Sequence, residues 1–206
     1  MRLFFAIEFN EELKEYLFCI QKEIRQYCIG GNFTSKDNFH LTLRFIGEQS
    51  HHQAELLISA LKATASSLES STKKFVPTCQ LYEKEIHEDS CLGACTSEFE
   101  LRLNKIGKFD RGNKKILWIG LQSSQELQAL YNKLEINLLN NGYNKEERGF
   151  NPHITLAREV RIEEFDQLVN KIKLNDIAIK VNAISLMESK RIDNKLCYVP
   201  LERVQF

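Results

Sequence analysis

The chain has 206 residues, 43% of them hydrophobic and 27% charged, a composition typical of a globular protein with one sizeable core. Its 28 basic and 28 acidic residues leave a formal net charge of zero. That balance argues against a protein that coats nucleic acid by charge alone, and it is compatible with a small site that recognises a nucleic-acid end.

The apolar run at the start is broken at Glu8, too early for a signal peptide or a membrane span. We therefore expect a cytoplasmic protein whose six cysteines are reduced. Cys91 and Cys95 form the one close cysteine pair, and no second pair completes a four-ligand zinc site. We expect no metal and no cofactor.

Hydrophobic periodicity predicts alternating strands and helices in the first half of the chain. The predicted elements are a strand over 2–9, a helix from the N-cap Asn10 to about Tyr27, a short strand over 32–34, a turn over 35–38, a strand that ends at Gly47, a helix capped by Ser50, and a polar connector over 66–72.

The second half continues this alternation, with hairpin turns between some neighbouring strands. The predicted elements are a strand near 76–81, a loop or hairpin over 83–97, a strand over 99–104, a turn over 110–113, a strand over 116–121, a helix capped by Ser123 or Ser124 and closed by 140–142, a loop over 144–149, a strand after Pro152, a helix near 162–172, and strands over 178–187 and 196–204 joined by 191–194. Strand–helix units combined with hairpins indicate an α+β fold with antiparallel sheets.

One short pattern occurs twice, as FHLTLRF over 39–45 and as PHITLAR over 152–158. The polar residues His40 and Thr42, and then His153 and Thr155, alternate with apolar residues, which is typical of strands. Alternate side chains of a strand share a face. We therefore predict one bilobal domain over 1–206, with two facing antiparallel sheets, helices on the outside and a central cleft that holds one motif from each lobe.

Two imidazoles and two hydroxyls in one cleft suit the cleavage of a phosphodiester. One neutral histidine removes a proton from water, while a protonated histidine gives one to the departing oxygen. The threonine hydroxyls are donors for phosphoryl oxygens. Neither motif contains a carboxylate that would hold a metal, so we predict metal-independent chemistry.

An arginine in each motif is a candidate phosphate contact. Arg44 has the same strand parity as His40, whereas Arg158 has the opposite parity from His153 unless a bulge redirects it. Sequence parity alone does not decide between them.

A lone histidine in a strand is most often a structural residue, but the repetition favours catalysis. Zinc binding by the two histidines would need a third ligand, which the sequence does not offer. The remaining histidines, His51, His52 and His87, fall at a helix start or in a loop, and we interpret them as solvated.

The chain resembles the two-histidine phosphoesterases and, more closely, the bacterial RNA 2′,3′-cyclic phosphodiesterases, also called 2′-5′ RNA ligase-like proteins. The matching segments run in order along nearly the whole chain: MRLFFAI (1–7), NFHLTLRFIG (38–47), ILWIG (116–120), PHITLAR (152–158) and LMES (186–189). The stretch over 83–96 looks longer than the family needs.

The resemblance implies a bilobal fold and hydrolysis of an RNA 2′,3′-cyclic phosphate to a 2′-phosphomonoester. Carried over, it makes His40 the proton donor and His153 the proton acceptor, with Thr42 and Thr155 on the phosphate oxygens and Arg158 at the second arginine of the family pattern. From the residues alone, the two histidines could exchange roles.

Several alternatives stay open at this point. The substrate could be a 2′-5′-linked oligonucleotide or a small cyclic nucleotide, and the same residues could run 2′-5′ ligation in reverse. An RNA-binding module without turnover would need the phosphate contacts but not both imidazoles. We expect a monomer, because one chain supplies both halves of the site.

Overall fold

The computed structural model describes residues 1–69 and 98–206. The strands in these ranges are β1 (Arg2–Glu8), β2 (Asn32–Phe33), β3 (His40–Glu48), β4 (Phe99–Arg111), β5 (Lys114–Leu121), β6 (His153–Val160), β7 (Ala178–Val181), β8 (Ala183–Ile192) and β9 (Lys195–Gln205). The helices are α1 (Glu11–Arg25), α2 (His51–Glu69), α3 (Gln125–Asn140) and α4 (Phe165–Lys171), with a 3₁₀ turn at Lys36–Asn38.

The described strands form one antiparallel path in the order β7-β4-β5-β6-β3-β1-β8-β9, with β2 also paired to β6. The predicted α+β class is confirmed. The two sheets expected from the sequence are joined rather than separate, because β3 and β6 meet through one residue pair, Leu41 with Ile154. Each half of the path therefore ends, at this junction, in a His-x-Thr strand.

Polar side chains begin the helices and connect them to the sheet. Asn10 caps α1 by accepting a hydrogen bond from the backbone N–H of Leu13, and Ser124 caps α3 in the same way. The buried amide of Gln21 on α1 donates to the backbone oxygens of Thr34 (2.8 Å) and Leu156 (2.7 Å). These bonds fix α1 against β6, next to its His-x-Thr segment.

The strands of two hairpins are longer than predicted. The strand predicted to end at residue 104 continues to Arg111, and the turn shrinks to Gly112 and Asn113. The last hairpin likewise turns only at Asp193 and Asn194. Both extensions carry exposed charged residues, so hydrophobic alternation does not mark them.

Other boundaries also differ from the prediction. The strand predicted over 178–187 is broken at Asn182 into β7 and β8. The connector predicted from residue 66 begins later, because α2 continues to Glu69. The remainder of that connector, the strand near 76–81, the loop over 83–97, His87 and the Cys91–Cys95 pair lie outside the described residues. No helix within 1–69 or 98–206 is both long and apolar enough to cross a bilayer.

Candidate active site

The two His-x-Thr strands are neighbours in the sheet. Leu41 of β3 pairs with Ile154 of β6, and both side chains are fully buried in the main core. Because alternate residues of a strand point to opposite faces, the histidine and threonine of each motif lie on the other face, away from this core. The structure therefore places four polar side chains on one face of the junction.

The imidazole of His40 is hydrogen-bonded through both ring nitrogens. Nδ1 lies 2.7 Å from the backbone oxygen of Asn38, and Nε2 lies 2.9 Å from Oγ1 of Thr42. A carbonyl oxygen only accepts, so Nδ1 carries the proton, and in the neutral ring Nε2 accepts from the threonine hydroxyl. Nε2 is then the nitrogen that would gain or give a proton in catalysis.

His153 repeats the Nδ1 hydrogen bond of this arrangement in the second motif. Its Nδ1 lies 2.7 Å from the backbone oxygen of Asn151, again the residue two positions earlier. The same argument places the proton on Nδ1 and leaves Nε2 unprotonated in the neutral ring. A neutral imidazole with a bare Nε2 is the form that can accept a proton from water.

Aromatic side chains pack against both imidazoles. The rings of Phe4 and Tyr198 each lie 5.0 Å from the ring of His40, centroid to centroid. On the other side of the junction, Phe109 lies 5.1 Å and Trp118 6.1 Å from the ring of His153. A nucleotide entering from this face would meet aromatic surface beside either histidine.

Trp118 reaches its place because its neighbour on β4 is a glycine. Gly107 pairs with Trp118, and a Cβ at that position would collide with the indole ring. This close approach explains a glycine inside a strand.

The site favours neutral histidines in the free protein. Burial lowers the pKa of His40 to about 4, helped by the charges of Arg158 and His153 and opposed by the hydrogen bond to Asn38. Burial also lowers the pKa of His153, again with help from Arg158. A bound anion would act in the opposite direction and favour the protonated rings.

Because His40 is buried in its neutral form, we predict that acid destabilises the fold. An unfolded histidine takes up a proton near pH 6.5, whereas folded His40 takes one up only near pH 4. Stability is therefore lost as the pH falls from 6.5 towards 4, by at most about 3 kcal/mol. Urea unfolding at pH 7 and at pH 4.5 gives the drop in the free energy of unfolding between the two pH values. This drop should be smaller for His40→Gln than for the wild type. The exposed His52→Gln should behave like the wild type, and an equal loss in both variants would contradict this account.

Arg158 acts on both histidines despite its sequence parity. Ala157 pairs with Leu117 on β5 and Thr155 pairs with the adjacent Trp118, so β6 carries one extra residue between them. This bulge changes the face on which the following residues lie. The charge of Arg158 lowers the pKa of His40 and of His153, and no ion pair to a carboxylate is found for it among residues 1–69 and 98–206.

Arg44 is turned the other way by a bulge in β3. Thr42 pairs with Ala6 but Arg44 pairs with the adjacent Phe5, so Leu43 is the extra residue. Ala6 belongs to the small cluster on the histidine face, whereas Phe5 lies in the main core. The parity prediction for Arg44 was therefore wrong, because paired residues share a face.

On that opposite face Arg44 lies between two carboxylates. Its Nε is 3.4 Å from Glu135 Oε1, its Nη1 is 2.8 Å from Glu146 Oε2, and its Nη2 donates to the backbone oxygen of Asn144. The side chains of Arg44 and Glu135 are 12% and 6% exposed. The charge of Arg44 is thus compensated inside the fold, and Arg158 is the better candidate for a phosphate contact.

The aromatic neighbours of the histidines are the site residues that sequence reasoning did not identify. They come from four different strands. Phe4 and Trp118 lie in two of the segments that match the family, MRLFFAI and ILWIG, but nothing in those segments assigned them to the site. His51 and His52 are exposed at the start of α2, as predicted. Among the described residues, no three His, Cys, Asp or Glu side chains are grouped as a metal site would require.

Comparison with known proteins agrees with this fold and identifies the family of the chain. The family model of the 2′-5′ RNA ligase superfamily matches residues 22–193. An RNA 2′,3′-cyclic phosphodiesterase of Thermotoga maritima is 24% identical over 208 residues, covering 100% of this chain and 96% of that protein. A protein of the same name from Escherichia coli K12 is 29% identical over 160 residues, covering 77% and 72%.

Solved structures share the fold. The crystal structure of E. coli LigT with 3′-AMP superposes with a TM-score of 0.65 at 24% identity, covering 99% of this chain and 97% of that one. The protein TT0787 of Thermus thermophilus superposes with a TM-score of 0.67 at 18% identity, covering 100% and 97%. The fold and the two His-x-Thr motifs together are those of a two-histidine phosphoesterase. The chain belongs to the 2′-5′ RNA ligase superfamily.

Proposed function

We propose that this protein hydrolyses RNA ends that carry a 2′,3′-cyclic phosphate to 2′-phosphomonoesters, by general acid–base catalysis without a metal. The observation that carries the proposal is the matched pair of histidines on one face, each with its Nδ1–H held by a backbone oxygen. The curated relatives named RNA 2′,3′-cyclic phosphodiesterase support the same substrate class.

In this proposal His153 accepts a proton from the attacking water through Nε2, and His40 protonates the departing O3′ through Nε2. The bond from phosphorus to O3′ breaks, the bond to the water oxygen forms, and O2′ keeps the phosphate. The direction of proton flow follows the family resemblance. Thr42 and Thr155 donate to the phosphate oxygens as charge builds on them.

The cyclic phosphate itself prepares His40 for this role. A general acid must be protonated, and the free protein opposes that. An anionic phosphate between the two rings stabilises the imidazolium form. We therefore expect the substrate to raise the pKa of His40 on binding, so that protonation and binding occur together.

Arg158 supplies the fixed positive charge in this scheme. Arg158→Ala should lower kcat/KM by roughly a hundredfold, the usual loss when a transition-state donor is removed. It should also raise the pKa of both histidines in the free protein, which NMR titration of their ring protons would measure. Arg161→Ala, an exposed cation just beyond the same strand, is the control. Unchanged histidine titrations in Arg158→Ala would contradict the assignment.

The same residues would also carry out ligation, with the 5′-hydroxyl of an RNA in place of water, and hydrolysis dominates in water. A 2′-5′-linked oligonucleotide or a small cyclic nucleotide is a substrate of the same chemistry. One chain over 1–206 supplies both halves of the site, so we propose that a monomer is active.

A binding module without turnover makes a different prediction for the same variants. It would hold RNA with a 2′-phosphate end and have no rate to lose. The test combines turnover of a cyclic-phosphate RNA with anisotropy measurements of affinity for the 2′-phosphate product, for wild type, His40→Gln and His153→Gln. An enzyme loses rate in both variants and largely keeps affinity. Tight binding by the wild type without any turnover would favour the binding module.

A further inference from the structure

Two long hairpins extend beyond the histidines, one from each half of the sheet. The β8–β9 hairpin turns at Asp193 (φ 48°) and Asn194 (φ 63°). The β4–β5 hairpin turns at Gly112 (φ 58°) and Asn113. Tight turns with positive φ match the twist of their strands, and each pair of strands stays hydrogen-bonded up to its turn.

The register of β8 and β9 defines which of their residues share the histidine face. Tyr198, whose ring lies against His40, pairs with Ser189, and Leu196 pairs with Arg191. No bulge intervenes between these two pairs. Leu196 and Arg191 therefore lie on the same face as Tyr198, two residues or roughly 7 Å further from the site.

This part of the hairpin combines apolar surface with an uncompensated cation. Leu196 is 45% exposed, so its apolar side chain is open to a ligand. Arg191 is exposed, and its Nη1 donates to the backbone oxygen of Asn194 at 3.0 Å. No carboxylate pairs with Arg191 in the described part of the chain. An exposed leucine beside an exposed arginine offers apolar contact to a nucleotide and a cation to its phosphate.

In-line geometry decides on which side of the site an RNA chain lies. In phosphoryl transfer the attacking and leaving oxygens lie on opposite sides of phosphorus. If His153 activates the water, the departing O3′ and its ribose lie on the side of His40. The remainder of the RNA is attached to that ribose, so it also lies on the side of β8 and β9.

A pocket beside His40, which shares Tyr198 with this surface, is less suited to a phosphate. It is lined by Glu8, Asp37 and Asn38 together with Lys14 and Tyr198. Lys14 is already paired with Glu11 at 3.2 Å. Glu8 is also engaged, because it accepts a hydrogen bond from Ser185 Oγ and lies 3.8 Å from Arg203 Nε. Asp37 is then the carboxylate that would repel an anion here, which favours the Tyr198–Leu196–Arg191 surface as the path for the backbone.

We infer that the surface formed by Tyr198, Leu196 and Arg191 binds the nucleotide that precedes the cyclic end, with Arg191 on the phosphate that links the two. The inference rests on the proposed function and narrows its substrate to an RNA strand of at least two nucleotides. It also ties the binding site of the strand to the role of His40 as proton donor.

The β4–β5 hairpin provides a matched control on the opposite side. Phe109 lies against the ring of His153, and Arg111 follows two residues later on the same face, exposed like Arg191. If the water lies on this side, Arg111 has no phosphate to bind. The two arginines thus differ in position relative to the reaction and resemble each other in chemistry.

The test measures kcat/KM for two short RNAs that end in a 2′,3′-cyclic phosphate. They differ only in the last internucleotide linkage, which is a normal phosphate in one and a neutral methylphosphonate in the other. For the wild type, replacing the charged linkage by the neutral one should lower kcat/KM about tenfold, which is the contribution of one charge-assisted hydrogen bond. On the charged RNA, Arg191→Ala should have a kcat/KM about tenfold below that of the wild type. On the neutral RNA, the kcat/KM values of the two proteins should be equal. Arg111→Ala should respond to the linkage as the wild type does.

Each other outcome overturns part of the account. If the neutral linkage lowers the kcat/KM of Arg191→Ala as much as that of the wild type, Arg191 does not contact this phosphate, while the proposed function stands. If Arg111→Ala alone becomes insensitive to the linkage, the strand crosses the other lobe, and His153 is then the proton donor. If the wild type turns over neither RNA, the proposed function fails and this inference with it.

Discussion

His40→Gln and His153→Gln will each lower kcat for hydrolysis of an RNA 2′,3′-cyclic phosphate by roughly a hundred- to ten-thousand-fold. Each variant removes one proton-transfer group, and such groups typically contribute this much. Glutamine keeps a polar side chain of similar length, so binding of the phosphate should change far less than the rate. Initial rates at saturating RNA, with product quantified by chromatography, measure the loss.

A substrate with a better leaving group shows which histidine is the general acid and which is the general base. If sulfur replaces O3′, the thiolate departs without a proton, so general acid catalysis contributes little. His40→Gln should then approach the wild-type rate on this substrate, whereas His153→Gln should stay slow because the water still needs a base. Recovery of His153→Gln instead would mean that the histidines have exchanged roles.

The exposed histidine at the start of α2 provides the control for these variants. His52→Gln removes an imidazole that is 81% exposed on α2, outside both His-x-Thr strands. Its rate should equal that of the wild type. If all three histidine variants lost activity to a similar extent, the loss would reflect protein quality rather than catalysis.

Arg44→Ala will destabilise the protein by roughly 3–5 kcal/mol, the usual cost of leaving a buried charge without its partner. Glu135 would lose its cation while 6% exposed, and Glu146 would lose its closest one. The segment from Asn144 to Glu146 would also lose its bond to β3. Urea unfolding followed by circular dichroism measures the change in the free energy of unfolding.

Arg148→Ala is the matched control, because this arginine is 85% exposed in the same segment. Its free energy of unfolding should change by less than about 0.5 kcal/mol. Normal stability of Arg44→Ala together with a raised KM for RNA would show that Arg44 binds phosphate and that its pairing with Glu135 and Glu146 is secondary.

Strand alternation predicted the faces of the histidines and threonines because no bulge interrupts either His-x-Thr segment. It was wrong for Arg44 and left Arg158 open, because an extra residue follows each segment, near Leu43 in β3 and between Thr155 and Ala157 in β6. The second bulge has a sequence signal, since Leu156 and Ala157 are consecutive apolar residues. The first has none, because Leu43 and Arg44 continue the alternation.

The aromatic surroundings of the site depend on tertiary structure in the same way. Phe4 and Tyr198 are far apart in sequence and reach His40 because β1 pairs with both β3 and β8, and β8 pairs with β9. The strands of both hairpins were predicted to be too short. Their ends face solvent and carry charged residues, so they lack the apolar alternation that predicts a strand. The sequence motif identifies the reacting groups, and strand pairing determines what surrounds them.

The most direct test is to identify the product of an RNA that ends in a 2′,3′-cyclic phosphate, incubated with the protein in excess EDTA and followed by ³¹P NMR. Two histidines with the proposed roles predict complete conversion to the 2′-phosphomonoester under these conditions. A 3′-phosphomonoester would contradict the assigned leaving group. No turnover in EDTA, with recovery when a divalent metal is added, would contradict the metal-independent mechanism.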